Sequence, residues 1–444
     1  HSTSRRQRQM CIRDRGYLGG QTGFFYQNSD WGYRNAIYRD LITNSWPVYY
    51  PQKDTALVYY IGHWLVPAVL TKPVYALFGL DAAWMFARMA LWGWTALGTY
   101  LAALNLLVYL RADTGKKQGI GLLFLIFFSG MDILGALYSS RLPDLLAYDA
   151  MHLEWWTNDF QFSSLTTCLF WVFNQTVGAW LATVCFLQEK DCHNYLLLGT
   201  ACLMCGPFPF VGLVIFMVVR GIVLLAQRQK GVLQSAFSPA NVLVLVVVLS
   251  ITASYFLANN AFGYSVLGET VAGNQAAQQT FGQNVLTSLQ KGMLVFYLLD
   301  AGIYLLLLWR QNRRSWLFYT CAVSLFIIPF FKVGQGCDFC MRVSIPAIFI
   351  LMTLCARYFI ALVGTKWRDG TLAQHAVTIL LAATLLIGVC TPAMEIYRGI
   401  CHIAKEGTFC LENEEPYTLA DRPVSLNFET QNCENKLFFT YFAK

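Results

Sequence analysis

Residues 240–258, ANVLVLVVVLSITASYFLA, contain no charged side chain and only a few small polar ones. An α-helix rises about 1.5 Å per residue, so about 20 apolar residues span the ~30 Å hydrocarbon core of a bilayer. Comparable runs recur along the chain, at about 83–110, 118–139, 165–187, 292–309, 316–331, 343–364 and 373–394. The sequence therefore predicts an all-α fold, a polytopic transmembrane helical bundle.

The composition agrees with this fold. Of the 444 residues, 56% are hydrophobic and 13% are charged, against roughly 25% charged residues in soluble domains. The formal net charge of +7 does not indicate nucleic acid, because basic residues of a membrane protein gather in loops and report orientation. We therefore expect membrane lipid as a partner and no nucleic acid.

The first fifteen residues do not fit the rest of the chain. Residues 1–15 are basic, lack an initiator Met at position 1 and lead into no apolar signal-peptide region. They resemble a translated sequencing-adapter artefact, so we expect a non-native extension. A membrane helix that precedes residue 16 in the natural protein is then expected to be missing from this chain.

Four basic clusters predict the orientation of the helices, because Lys and Arg are enriched in cytoplasmic loops. They are Arg111/Lys116/Lys117, Arg220/Arg228/Lys230, Arg310/Arg313/Arg314 and Lys366/Arg368. The spans alternate consistently if 57–79 lies at the interface without crossing. The stretch 194–226, broken near Gly206-Pro207, must also return to its starting side.

This topology predicts a multi-pass protein of the inner (cytoplasmic) membrane with polar extracytoplasmic loops. Residues 16–56 form the first outer loop, and 57–394 form a membrane domain of about ten hydrophobic helices, some short or broken. Residues 395–444 form an extracytoplasmic tail. The segments 140–164, 259–291 and 332–342 also face outside.

The fourteen cysteines do not predict a metal site. Two Cys-x-x-Cys pairs, Cys202/Cys205 and Cys337/Cys340, lie in different parts of the topology, whereas structural zinc needs four ligands together. In the tail, Cys401, Cys410 and Cys433 could form one disulfide if that segment is extracytoplasmic.

The first outer loop offers a candidate catalytic carboxylate. The pattern from Trp31 to Leu41 permits a short helix with Asp30 near its start. Asp30 could cap that helix, pair with Arg34 one turn later, or act as a general base at the membrane surface. Asp40 is a secondary candidate.

The second outer loop is rich in ionisable groups, with Asp144, Asp149, His152, Glu154 and Asp159 close together. His152 and Glu154 share a face only if the segment is extended. They either line a site or belong to a solvated loop, beside two tryptophans typical of an interfacial belt.

The third cluster lies at the outer end of a predicted span and contains Lys332, Asp338 and Arg342. The fork of Arg342 suits phosphate capture, while Asp338, four residues earlier, could be its structural partner. Asp132 and Asp300 lie inside predicted spans, where carboxylates are functional candidates by default.

Taken together, these features resemble the GT-C superfamily of multi-spanning glycosyltransferases. The resemblance rests on the acidic first outer loop with Asp30, the aromatic segment after it, about ten further hydrophobic helices, and candidate residues on the outer face. The chain is also similar to a group of uncharacterised bacterial membrane proteins. The shared segments are Asp30 through Pro47, Phe128 to Asp132, His152-Leu-Glu154-Trp155-Trp156, and Asp338 to Pro346.

The resemblance implies a GT-C-like fold and transfer of a sugar from a polyprenyl-phosphate donor to an acceptor at the outer membrane face, with inversion. Asp30 would be the base, and Arg342 with Lys332 or Arg34 would stabilise the departing phosphate. His152 and Glu154 would orient sugar or acceptor. The lipid-phosphate-linked sugar is the donor substrate; no cofactor is specifically indicated, and nothing in the sequence points to a divalent metal.

Two other functions compete with this prediction. Asp132, Asp300 and the broken segment 194–226 are compatible with a transporter or flippase of lipid-linked sugars. A non-catalytic scaffold for envelope assembly is the third possibility. An outer cavity that contains Asp30, His152 and Arg342 would favour the enzyme.

Overall fold

The computed structural model describes residues 19–20, 23, 27, 30–143, 152–259, 281–333, 336–366, 368, 370–406 and 416–443. This part of the chain is mostly helical, with three short strands. Seven of its helices are long and apolar enough to cross a membrane: Gly62–Tyr109, Gly115–Tyr138, Pro207–Ala226, Val232–Leu257, Met293–Asn312, Ile345–Leu362 and Leu372–Ala404. The prediction of a helical, multi-pass membrane protein is confirmed at this level.

Several of these spans are interrupted locally. Asp132–Tyr138 follows Gly115–Phe127 after a short break, and Leu372–Gly388 is followed directly by Cys390–Glu406. Two spans contain a π-helical turn, Val244–Leu249 between Pro239–Leu243 and Ser250–Leu257, and Leu298–Gly302 between Met293–Tyr297 and Ile303–Asn312. Single π-turns of this kind are frequent at functional sites.

The remaining elements are shorter. The helices are Asp30–Thr43, Leu165–Trp171, Phe173–Gln188, Tyr195–Cys205, Val232–Ala236, Phe281–Gln290, Trp316–Ile327, Asp338–Val343 and Leu437–Tyr441. The 3-10 turns are Leu153–Trp156, Ile328–Phe330, Leu419–Asp421 and Cys433–Asn435.

Most of the predicted segments 57–79 and 83–110 lies in one long helix, Gly62–Tyr109, which bends at a single residue. Gly79 has φ 78°, in the left-handed region that glycine adopts without a steric penalty. Before the bend, Leu70, Leu77 and Phe78 are exposed by 54%, 75% and 69%. An exposed apolar face on the short arm suits contact with lipid.

The predicted break at Gly206-Pro207 is confirmed. One helix ends at Cys205, Gly206 is extended, and the next helix begins at Pro207. A side chain at Gly206 would meet Gln175 at 2.9 Å, so the break is packed closely against the helix Phe173–Gln188.

The bundle is centred on the helix Ile345–Leu362, in which every residue from Ile345 to Ala356 is buried. Phe349 packs near Trp180 of Phe173–Gln188, with ring centroids 6.1 Å apart. A helix buried on all faces is expected at the middle of a membrane bundle.

A small antiparallel sheet joins the first loop to the tail. Strand β1 (Tyr49–Tyr50) pairs with β2 (Thr55–Leu57), and β2 pairs with β3 (Glu429–Gln431). Lys53 Nζ lies 2.6 Å from Glu429 and completes the junction. The two segments therefore lie on the same side of the bundle, as the predicted topology requires.

Candidate functional site

Polar side chains of the first loop, of the residues just before the helix Gly62–Tyr109 and of the 332–342 segment meet at one place. Arg342 Nη1 donates to the Tyr60 hydroxyl at 3.0 Å, and the hydroxyls of Tyr59 and Tyr60 are hydrogen-bonded to each other. Arg34 lies close enough to both tyrosines and to Arg342 for their charges to interact. We call Arg34, Tyr59, Tyr60 and Arg342 the arginine–tyrosine cluster.

Each arginine also pairs with an acid on its own helix. Arg34 Nη2 is 3.1 Å from Asp30, the first residue of the helix Asp30–Thr43. Arg342 Nη2 is 3.1 Å from Asp338, the first residue of Asp338–Val343. Both pairs are i,i+4, so the two local pairings that the sequence permitted are confirmed. The carboxylates lie at the rim, exposed by 58% and 42%, while the arginines are exposed by 11% and 16%.

Packing of aromatic rings fixes the helix that carries Arg34. Trp31 stacks on Phe173 with centroids 5.2 Å apart, and the Arg34 guanidinium lies 5.5 Å from the centre of the Trp31 ring. Such packing limits the freedom of a long side chain and reduces the entropy lost when it binds a ligand.

The cluster has positive charge and unused hydrogen-bond donors. Burial lowers the pKa of Arg34, and the charge of Arg342 lowers it further. Asp30 and the two tyrosines act in the opposite direction and raise it. Burial also opposes the charge of Arg342, but Tyr60 and Asp338 outweigh it, so the pKa of Arg342 is raised. Arg34 Nη1 and Arg342 Nε are buried without a hydrogen-bond partner. Anionic oxygens are suitable acceptors for donors of this kind.

One apolar cavity borders this cluster, and a second is lined in part by the short helix that carries Arg342. The first, of about 290 Å³, is lined by Tyr59 together with Leu57, Ile61, Tyr255 and Phe438. The second, of about 520 Å³, is lined by Phe339 and Val343, from the short helix that carries Arg342, and by the helices Pro207–Ala226 and Trp316–Ile327. A charged head group and an apolar chain could therefore be bound side by side.

His152 and Glu154 contact a different set of residues. His152 Nδ1 lies 2.7 Å from Glu395 Oε1 and 2.8 Å from Arg398 Nη2. Trp171 Nε1 donates to the other Glu395 oxygen at 2.9 Å, and its ring centroid is 4.0 Å from that of His152. These contacts form a buried His–Glu pair between the second loop and the helix Cys390–Glu406.

Glu154 is tied into the loop that follows it. Its carboxylate accepts from Gln161 Nε2 at 2.8 Å, Ser163 Oγ at 2.6 Å and the Ser164 backbone N–H at 2.8 Å. Burial raises the pKa of Glu154, and Glu395 adds to this effect, while His152 and Ser163 oppose it. His152 is extended and Glu154 lies in the 3-10 turn Leu153–Trp156, so their side chains reach different partners.

Lys332 pairs with the second loop. Its Nζ is 2.7 Å from Asp159, which also accepts from Lys291 at 2.7 Å. Two partners were predicted for Arg342. The structure places Arg34 near Arg342, whereas Lys332 pairs with Asp159 of the second loop. The predicted candidates Asp144 and Asp149 lie outside the described residues.

Asp40 is fully buried and joins the first helix to the tail. Its Oδ2 accepts from the Tyr50 hydroxyl and from the Leu419 N–H, both at 2.9 Å. Burial raises the pKa of Asp40, although these hydrogen bonds and Arg39 oppose it. These contacts give the residue a structural role.

Asp132 and Asp300 are buried inside the bundle. Asp132 Oδ2 accepts from Thr391 at 2.7 Å and from Ser129 at 3.2 Å. Asp300 lies in the π-helical turn Leu298–Gly302. Both carboxylates lie near Glu154, so the two intramembrane acids belong to the same region as the second loop.

Sequence reasoning missed Tyr59, Tyr60, Glu395 and Arg398. The adjacent tyrosines could have been read only as part of an interfacial aromatic belt. Glu395 and Arg398 stood at the start of the predicted tail, but the helix Cys390–Glu406 continues through them. Their i,i+3 spacing in a polar–apolar pattern was the available signal.

Cysteines and metals add no further site among the described residues. Cys401 and Cys433 are free thiols, as are both members of the pairs Cys202/Cys205 and Cys337/Cys340, and Cys410 lies outside the described residues. Within the described ranges, no group of three or more His, Cys, Asp or Glu side chains could hold a metal ion.

The fold and the clusters define a class, a multi-pass helical membrane protein with a cationic cluster at one end of its bundle and buried acids beside it. No protein-family model, curated protein or solved structure matches the chain.

Proposed function

We propose that the protein is a membrane glycosyltransferase that takes a sugar from a polyprenyl-phosphate donor. The observation that carries the proposal is the arginine–tyrosine cluster, in which two guanidinium groups, 34 and 342, have buried N–H donors without partners. Phosphate oxygens are suitable acceptors for such donors. The apolar cavity beside Tyr59 offers a place for the first isoprene units.

The proposed reaction uses Asp30 as the base. Its carboxylate is at the exposed rim, 3.1 Å from Arg34, so it would lie beside a phosphate bound by the arginines. It takes the proton of an acceptor hydroxyl. The acceptor oxygen forms a bond to the anomeric carbon as the bond from that carbon to the phosphate oxygen breaks.

The leaving group is then the polyprenyl phosphate, which gains negative charge as the bond breaks. Arg342 and Arg34 stabilise that charge, and the Tyr60 hydroxyl bonded to Arg342 holds the guanidinium in place. Removal of one donor of this kind typically costs about 3–4 kcal/mol of transition-state stabilisation. Attack opposite the leaving group inverts the anomeric carbon.

The test separates the base from the phosphate site. Membranes containing the full chain are assayed with polyprenyl-phosphate sugars, and binding of the unglycosylated polyprenyl phosphate is measured in parallel. Asp30→Asn should abolish transfer and leave phosphate binding within about threefold, because a rim pair contributes about 0–1 kcal/mol. Arg342→Gln should reduce both.

The control is Asp113→Asn, which also removes an acid exposed by 71% and paired i,i+4, here with Lys117. It should leave transfer and binding unchanged. Wild-type turnover in Asp30→Asn would remove Asp30 from the mechanism. Unchanged lipid-phosphate binding in Arg342→Gln would remove the cluster from it.

Transport of a lipid-linked sugar is a second candidate function, favoured by the buried pair Asp132 and Asp300. Carboxylates inside a membrane domain are typical of transport pathways. Reconstituted vesicles distinguish the two functions, because a flippase moves labelled lipid between leaflets without forming a new glycosidic bond. In that case Asp30→Asn would leave the movement of lipid intact.

A further inference from the structure

Two carboxyl groups inside the bundle have unused hydrogen-bonding capacity. Asp300 is 1% exposed, and neither of its oxygens has a hydrogen-bond partner. Asp132 is also 1% exposed, and its Oδ1 has no partner. Both residues lie in apolar helices long enough to cross a membrane.

The two acids are held close together by the backbone. Met131 donates its N–H to the Leu299 carbonyl at 3.3 Å, so the segments before and around the two aspartates touch. A side chain at Gly130 would meet Asp300 Oδ1 at 2.6 Å. Because Gly130 has no side chain, the Asp300 carboxyl can lie against the backbone two residues before Asp132.

The groups that face the pair are themselves acids. Asp300 interacts electrostatically with Asp132 and with Glu154 of the second loop. Tyr304 and Cys340 interact with it from two further elements. Asp132 interacts electrostatically with Glu154 and Tyr304 and accepts hydrogen bonds from the neutral hydroxyls of Ser129 and Thr391.

Two ionised carboxylates in these surroundings would be strongly unfavourable. A buried charge needs a counter-charge or a full set of hydrogen bonds, and otherwise the group takes up a proton. A proton needs only one carboxyl oxygen, and a second carboxylate can accept its hydrogen bond.

We propose that Asp132 and Asp300 form a buried proton-binding site that holds a proton at neutral pH. Glu154 is the third acid of the region and lies beside His152, which is bonded to Glu395. The step is a simple protonation, so one carboxylate becomes a neutral acid and no other reactant is needed.

The experiment is infrared spectroscopy of the purified full chain in lipid nanodiscs at neutral pH. Wild type should have a carbonyl band of a buried carboxylic acid, and the band should move when the chain is produced with carbon-13-labelled aspartate. Asp300→Asn or Asp132→Asn should remove at least half of its intensity. Asp113→Asn, which removes an exposed and ionised carboxylate, should leave it unchanged.

The labelled wild-type protein keeps the test independent of how the variants fold. Absence of an aspartic acid band in that protein at neutral pH would overturn the proposal. So would a band that sodium chloride removes at constant ionic strength, because the site would then bind sodium instead of a proton. The readout is separate from glycosyl transfer, so Asp30→Asn should retain the band even if it has lost all activity.

Discussion

The strongest test of the cationic cluster is substitution of Arg34 and of Arg342, one at a time. Each guanidinium has one buried N–H without a partner, and these are the donors expected to bind phosphate. A hydrogen bond to a charged group contributes about 1.5–3 kcal/mol. Since about 1.4 kcal/mol corresponds to a tenfold change, each Arg→Gln substitution should weaken binding roughly ten- to hundredfold.

The same substitutions should change stability little. Asp30 and Asp338, which lose their partners, are exposed by 58% and 42%, and such rim pairs contribute about 0–1 kcal/mol. Removal of one arginine also relieves repulsion from the other, since the two charges interact. A shift in melting temperature should therefore be small in either single variant.

The assay is calorimetric binding of a short-chain polyprenyl phosphate to the purified protein in detergent. Lys332→Gln is the matched control, because it removes one positive charge from the same segment but its Nζ pairs with Asp159. It should change affinity by less than about threefold, as expected for an exposed pair. Equal losses in Lys332→Gln and Arg342→Gln would refute the reasoning, since affinity would then depend on overall charge and not on the two unpartnered donors.

Three further predictions concern stability. Asp40→Ala should lower the free energy of unfolding by about 3 kcal/mol, because two buried hydrogen bonds to a charged group are lost, and limited proteolysis should then cleave the tail sooner. Burial opposes the ionisation of Asp159, but two lysines outweigh it and hold its pKa below the usual 3.8. Its pairing therefore stabilises the fold above about pH 4 and is lost on acidification, so the melting-temperature difference between wild type and Asp159→Asn should vanish at low pH. Gly135→Ala should destabilise the protein by about 1–3 kcal/mol, measured by denaturation, because its Cβ would meet the Trp156 ring at 2.2 Å; a neutral result would mean that the ring moves freely.

Local features of this fold could be predicted well from the sequence. Helix length and apolarity are properties of a single segment, so most spans and the break at Gly206 were found. The pairs Asp30/Arg34 and Asp338/Arg342 depend only on the 3.6-residue repeat. Both depend on short-range geometry that a single sequence contains.

Contacts between distant segments could not be predicted in the same way. His152 and Glu395 are 243 positions apart, and Tyr60 and Arg342 are 282 apart. The prediction that His152 and Glu154 would join the arginines assumed that the outer segments 16–56, 140–164 and 332–342 meet at one interface. The packing of the helices decides which loops meet. Here the helix Cys390–Glu406 contacts His152 through Glu395.

The arginine–tyrosine cluster and the pair Asp132 and Asp300 differ in the kind of buried polar atom that lacks a hydrogen-bond partner. Buried polar atoms in folded proteins are almost always satisfied, so each exception needs an explanation. At the arginine–tyrosine cluster the unmet atoms are donors on cations, and at Asp132 and Asp300 they are acceptors on acids. If these unpartnered atoms reflected only loose packing, the arginine donors and the aspartate oxygens could pair with each other. Instead, each arginine pairs with its own exposed carboxylate, and other acids surround the aspartates. This separation favours two distinct ligands, an anion at the end of the bundle and a proton within it.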